Sequence, residues 1–210
     1  MDLKKIQEFC RDRLDRKSAA RDAALAGSRM TIRSCANAIR AVHRSEWKEA
    51  KRLIREAEKT LREAENALKP FPEIFFVGFL TDAQKEYVEA RATYAIIRGE
   101  EVPAPEDLGI GEAPYLNGMG ETVGELRRFI LDLMRHGELE RCEELLDAMD
   151  DIYYVLTSMD YPDAITGGLR RTTDVARSLI ERTRGEFSIA LIQENLESAL
   201  KEHSKRLESS

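Results

Sequence analysis

Glu86 and Glu89 stand three residues apart in the sequence, and Glu121 and Glu125 stand four apart. On a helix, residues at those spacings leave the same side with Cβ atoms about 5–6 Å apart, so each pair would aim two carboxylates at one point. If two such helices met, four hard oxygen donors would suit Mg2+ or Mn2+, which prefer carboxylate oxygen to sulfur. The plain alternative is two pairs of solvated helix glutamates. Spacing alone leaves both readings open, and it cannot show that the pairs meet.

The elements that must carry these residues read as helices. Between Thr81 and Arg98 there is no Gly or Pro, and apolar residues recur through Ala83, Tyr87, Ala90, Tyr94 and Ile97, the helical period. On that wheel Gln84, Arg91 and Arg98 form the side expected to face solvent. Glu86 and Glu89 fall elsewhere, with Thr93 between them and Ile96 and Ile97 at the flanks. Carboxylates bordered by apolar residues need a partner or a metal. The apolar run Ile74–Leu80 (IFFVGFL) is short enough to suit a buried strand, but with no strand to pair with it reads as the start of this helix. Glu121 and Glu125 lie on a helix expected over Ala113–His136, ending at Gly137 and interrupted in composition by Gly118, Gly120 and Gly124. Glycines there weaken a helix but permit another backbone or a substrate to approach closely. Gly99–Ala113, with Pro103, Pro105, Gly109 and Gly111, reads as a long loop able to gate the site, since connections of that length are mobile or functional. Glu106 and Asp107 within it read as solvated.

The remaining chain also reads as helix. Leu3–His43 forms one long helix with a possible interruption at Gly27 and an apolar stripe of Cys10, Leu14, Leu25, Ile32, Cys35 and Ile39. Arg29, Arg33, Arg40 and Arg44 share one flank, with His43 beside them. Arginine forks fit phosphate, although a solvated face is the alternative. Ser45 is the expected N-cap of a second helix, Glu46–Leu68, read as scaffold. Pro70 and Pro72 stop it. Further helices are expected over Glu138–Met159 and from Thr166 to about Leu207. The latter has Leu169, Val175, Leu179, Ile180 and Ile189 as core, Gly185 as a bend or break, and an ion-pair ladder through Asp174, Arg177, Glu181 and Arg184. Arg127 and Arg128 serve either internal salt bridges or RNA.

Composition sets the frame. With 210 residues, 6 prolines and 12 glycines, the chain suits one all-α domain over 1–210. The net charge of −6 disfavours a nucleic-acid partner, but residues 1–44 hold eleven Lys and Arg against five Asp and Glu. That leaves +6 in this segment and −12 in the rest, so a basic footprint sits on an acidic protein. Three scattered cysteines, Cys10, Cys35 and Cys142, fit a reducing interior and no disulfide framework. No apolar stretch is long enough to span a membrane, and a chain charged from Asp2 onward reads as lacking a secretory signal. A cytoplasmic protein is expected. His43, His136 and His203 have no nucleophile beside them in a recognisable motif, and the glycines match no nucleotide-binding loop.

DAQKEYVEA (Asp82–Ala90), GMGETVGELRR (Gly118–Arg128) and GLRRTTDVARSLIERTRG (Gly168–Gly185) resemble the translin family, closest to its prokaryotic members and to the translin-associated factor X branch. The likeness covers nearly the whole chain and is uninterrupted over PEIFFVGFLTDAQKEYVEA. It implies a bundle of about six or seven long helices, assembling into a closed shell, here a homo-octamer. RNA or single-stranded DNA would bind on the inner surface, with short duplex RNA as a further ligand. It also implies Mg2+- or Mn2+-dependent endoribonuclease activity carried by Glu86, Glu89 and Glu121, with Glu125 as a fourth carboxylate. The third position is usually Asp in the family, so Glu121 adds a methylene. A translin-like container that binds nucleic acid without cutting it is the alternative, and a helical scaffold for protein partners is the third reading.

Overall fold

Forty-one residues at the start of the chain, Leu3–His43, form a single helix, α1. In the computed structural model, which describes residues 2–75 and 78–208, this helix does not break at Gly27. Glycine instead lets α2 (Trp47–Leu68) come close: a Cβ on Gly27 would stand 3.1 Å from the Ala64 Cβ and 3.3 Å from the Thr60 carbonyl oxygen. One turn along, the hydroxyls of Thr31 and Thr60 meet at 2.8 Å inside the seam. The corner joining the helices is tight. Ser45 takes a left-handed φ of 57°, and the amides of Ser45 and Glu46 donate to the carbonyls of Val42 and Ala41, both at 2.9 Å. Ser45 is therefore not the N-cap expected of it. Glu46 holds that position without a side-chain cap, its carboxylate gripped instead by Arg44 at 2.8 and 2.9 Å.

The core of α1 begins only at Ala24 and continues through Thr31, Cys35, Ala38, Ile39 and Val42. The outer part of the expected stripe lies in solvent: Cys10 is exposed, and Leu14 is 61% exposed, alongside exposed Leu3, Ile6 and Phe9. On α2 the inner face is as expected, with Leu53, Ile54, Ala57, Leu61, Ala64 and Leu68 buried. A 3-10 turn, Pro72–Ile74, follows, and α3 runs Gly78–Arg98. The expected helix start at Ile74 is thus occupied by the end of this turn, while Phe76 and Val77 lie outside the described residues. A short helix, α4 (Pro105–Leu108), precedes α5 (Glu112–His136).

Cα packing separates two compact units, Met1–Gly118 and Met119–Ser210. In the first, α1, α2 and α3 pack on one another; α5 starts there and continues into the second. The second unit adds α6 (Glu140–Thr157), α7 (Asp163–Thr166) and α8 (Leu169–Glu208). The expected inner residues of α6, from Cys142 to Leu156, are buried. Helix α8 passes Gly185 unbroken, but its core register differs from expectation: Leu169, Ala176, Ile180, Thr183 and Phe187 are buried, while Val175 and Ile189 are 52% and 59% exposed. A neighbouring residue is rotated by ~100° on a helix, so a stripe set by packing on α6 leaves Val175 outside. Of the expected ladder, Arg177 and Glu181 pair at 2.9 Å, whereas Arg184 reaches across to Asp150 of α6. Past Phe187, the apolar residues Ile192, Leu196, Leu200 and Leu207 of α8 face solvent. Among the described residues there is no strand, and no helix is long and apolar enough to cross a membrane.

Candidate metal centre and nucleic-acid interface

Helix α3 presents Glu86 and Glu89, both half-buried, with carboxylate oxygens within 4.8 Å of each other. The i,i+3 spacing puts them on one side, and Tyr87, Val88 and Ala90 on the adjoining side are buried. The nearby thiol of α1 is Cys35, which is fully buried. Burial above all, and then the charges of Glu86 and Glu89, push its pKa far above the usual thiol range. A protonated thiol is a poor ligand. The donors offered here are therefore carboxylate oxygens, the set that fits Mg2+ or Mn2+ rather than a thiophilic ion.

The opposite flank of α3 is only in part the solvated face its charges suggest: Arg98 is exposed, while Gln84 and Arg91 are half-buried. The Gln84 amide donates to Glu65 Oε1 of α2 at 2.8 Å. Glu65, only 7% exposed, accepts a second bond on Oε2 from Arg62 at 2.9 Å. Tyr87, 1% exposed, sits in the same polar seam. Its pKa is raised to about 12, chiefly by burial, with the Arg91 charge opposing.

The stretch after α3, expected as an open loop, is fastened at several points. Arg62 donates to the Leu108 carbonyl, and its guanidinium lies 3.1 Å from where a Cβ on left-handed Gly109 would be. Tyr115 donates to the Pro103 carbonyl at 2.9 Å, and Leu108 and Ile110 are buried. Asp107 accepts from the Ala104 amide at 3.1 Å and closes the start of α4. Sequence could not supply these anchors, because Arg62 lies 46 positions from Leu108.

Helix α5 uses two of its glycines, Gly118 and Gly120, for close helix contacts. A Cβ on Gly118 would meet the Lys85 carbonyl oxygen and Val88 of α3, and one on Gly120 would meet Thr172 of α8. Glu121 follows Gly118 by one turn on the same helix, and Glu121 and Glu125 are half-buried. Glu125 also lies 3.8 Å from Arg128.

On α1 the guanidinium groups of Arg29, Arg33, Arg40 and Arg44 all belong to exposed residues, and His43 is half-buried. Arg40 donates to Asn37 at 2.6 Å and Arg44 is tied to Glu46, while Arg29 and Arg33 have no ion pair among the described residues. In the second unit Arg127 turns inward, donating to Thr183 at 2.9 Å and pairing with Glu186 at 2.9 Å. Arg128 is exposed. Helix α2, read from sequence as scaffold, carries three more exposed cations without an ion pair among the described residues, Lys48, Lys51 and Arg55. The i,i+4 spacing of Lys51 and Arg55 was visible in the sequence. Their freedom was not, since it depends on which neighbours the acidic residues choose.

No protein-family model matches the chain. An uncharacterised protein of Methanocaldococcus jannaschii is 36% identical over 196 residues, spanning 93% of this chain and 85% of its own length. The structure of AfC3PO in complex with duplex RNA is 34% identical, with a TM-score of 0.82 over 89% of this chain and 97% of that one. A crystal structure of AfC3PO gives the same identity, TM-score and coverage. The crystal structure of apo-NeC3PO, at 22% identity and a TM-score of 0.74, shares the fold over 90% of this chain and 97% of its own.

Proposed function

The chain belongs to the translin and translin-associated factor X family, and on that premise we propose that it is a metal-dependent endoribonuclease that binds and cleaves RNA inside a closed oligomeric shell. The observation that carries the reading is the Glu86–Glu89 pair: two half-buried carboxylates with oxygens within 4.8 Å beside a thiol that burial and their charge keep protonated. In this reading Glu86, Glu89 and Glu121 hold Mg2+ or Mn2+, with Glu125 as a fourth carboxylate. When bound, such an ion supplies Lewis-acid stabilisation of the phosphate as its charge develops. The glutamates bind and orient the ion. Arg29 and Arg33, exposed and without ion pairs among the described residues, hold the RNA by its phosphates and so fix its register without reading its sequence. Arg40, His43, Arg44 and Arg128 stand as further contacts, while Arg127 serves first to brace α5 against α8. The AfC3PO complex with duplex RNA supports short duplex RNA as a ligand, and single-stranded RNA is proposed beside it. A cytoplasmic homo-octamer completes the proposal.

The test is cleavage and binding of a labelled single-stranded RNA by the parent, E86Q and E89Q, with Mn2+ and with EDTA. Either substitution, like EDTA, should abolish cleavage while binding persists or tightens slightly, because negative charge is removed. Variants that cut as fast as the parent would refute the catalytic assignment. A parent that binds RNA in a salt-dependent manner but never cuts it would instead be a translin-like container.

A further inference from the structure

The geometry points to α2 as a path for an unpaired stretch of RNA, with one base stacked at Trp47 and the backbone led over Lys51 and Arg55. This rests on the RNA reading above but concerns a helix that reading does not use. Trp47 opens α2 and is half-buried. Tyr94 of α3 meets its ring edge-on, at 6.4 Å between centroids and 76° between planes. The face of the indole is capped by the guanidinium of Arg98, 5.1 Å from the ring centroid. Arg98 is itself exposed and paired only loosely, with Glu100 at 3.6 Å. A long side chain of that kind can swing from the ring to a phosphate and leave the indole face to a base.

The charges along α2 are sorted. Arg52 is held by Glu49 at 2.7 Å and by Glu56 at 3.0 Å, Lys59 by Glu63 at 3.9 Å and Arg62 by Glu65 at 2.9 Å. Lys48, Lys51 and Arg55 are exposed and have no ion pair among the described residues. Lys51 and Arg55 follow Trp47 at successive i,i+4 steps, each about 6 Å along the helix axis and drifting by about 40°, so Trp47, Lys51 and Arg55 line one flank, with Lys48 beside Arg55 on the wheel. Glu58, a turn beyond Arg55, ends the run. An aromatic face followed by uncompensated cations is the combination that binds single strands without reading sequence, stacking a base and tracking the backbone. A blunt duplex has no unpaired base to offer.

Trp47 is the sole tryptophan, so its emission reports on this place alone. With EDTA present to prevent cleavage, the full chain is titrated with single-stranded oligouridylate and with a blunt RNA duplex of equal length. Binding of each is followed independently by polarisation of a labelled RNA. The single strand should quench Trp47 and shield it from acrylamide, and the duplex should not. K51Q/R55Q, altered only at exposed positions, should bind the single strand about tenfold more weakly, with a salt slope shallower by about 1.4. If the single strand binds with Trp47 emission and acrylamide access unchanged, or if K51Q/R55Q keeps full affinity, the path along α2 is overturned. If neither RNA binds at all, the functional reading itself fails, and this inference goes with it.

Discussion

Gly118 of α5 lies so close to Val88 of α3 that a Cβ on the glycine would stand 2.7 Å from the Val88 Cβ and 2.6 Å from the Lys85 carbonyl oxygen. Neither atom can swing aside, so Gly118→Ala should force α5 off α3 and cost about 1–3 kcal/mol, as overpacking does. At Gly120 the obstacle is the Thr172 methyl, which can rotate, so alanine there should cost less. At Gly124 the nearest atom would be 3.8 Å away. Gly124→Ala should therefore stabilise by up to about 1 kcal/mol through helix propensity. Urea unfolding of the three variants checks the order. Equal stability of the alanines at 118 and 124 would contradict the packing described for α5.

Arg62 joins the Glu65 carboxylate to the Leu108 carbonyl. Arg62→Met leaves Glu65 with Gln84 alone and removes the anchor of the segment after α3. A loss of about 1–3 kcal/mol is expected, the cost of leaving buried polar groups unsatisfied. Hydrogen exchange at the amides of Gly109 and Ile110 should quicken more than the global change accounts for. Arg62→Lys should recover only part of the loss, since an ammonium lacks the fork that serves both acceptors. Unchanged exchange in Arg62→Met would show that the segment is held by its buried Leu108 and Ile110 instead.

Tyr87 gives a pH dependence whose sign is fixed. Its pKa is raised from 10.0 to about 12, so the folded state holds the phenol proton more tightly than the unfolded chain does. The resulting stabilisation is fully present below pH 10 and is lost as pH climbs through 12, by roughly 2–3 kcal/mol at most. Tyr87→Phe should not show this loss. The measurement is the parent-minus-variant difference in unfolding free energy between pH 9 and 12; a constant difference would mean Tyr87 ionises as it does in water.

Much of this architecture was legible in the sequence, where helix period and breakers dominate. The limits of α1, the stop of α2 before Pro70 and the pairing of Glu86 with Glu89 on one side of α3 follow from local spacing. What the sequence hid depends on partners far along the chain. Gln84 and Arg91 look like surface residues until Glu65 takes up the Gln84 amide. Val175 and Ala176 are equally good core candidates until packing on α6 selects the alanine. Ser45 has the chemistry of a cap, but the corner needs its backbone in a left-handed turn, and the hydroxyl is then no longer placed to cap. The third and fourth carboxylates, Glu121 and Glu125, were legible only as a pair on their own helix.

The tight corner at Ser45 also works as a gauge. Gly27 faces Ala64 and Thr31 faces Thr60, contacts that step evenly away from the bend on both arms. One residue inserted at the bend would turn α2 by ~100° and slide it by ~1.5 Å against α1. The two threonines would part, and Lys51 and Arg55 would swing to a different bearing from Arg29 and Arg33. Whatever length variation the chain tolerates elsewhere, the spatial phase between these two sets of cations is set by a turn with no slack in it.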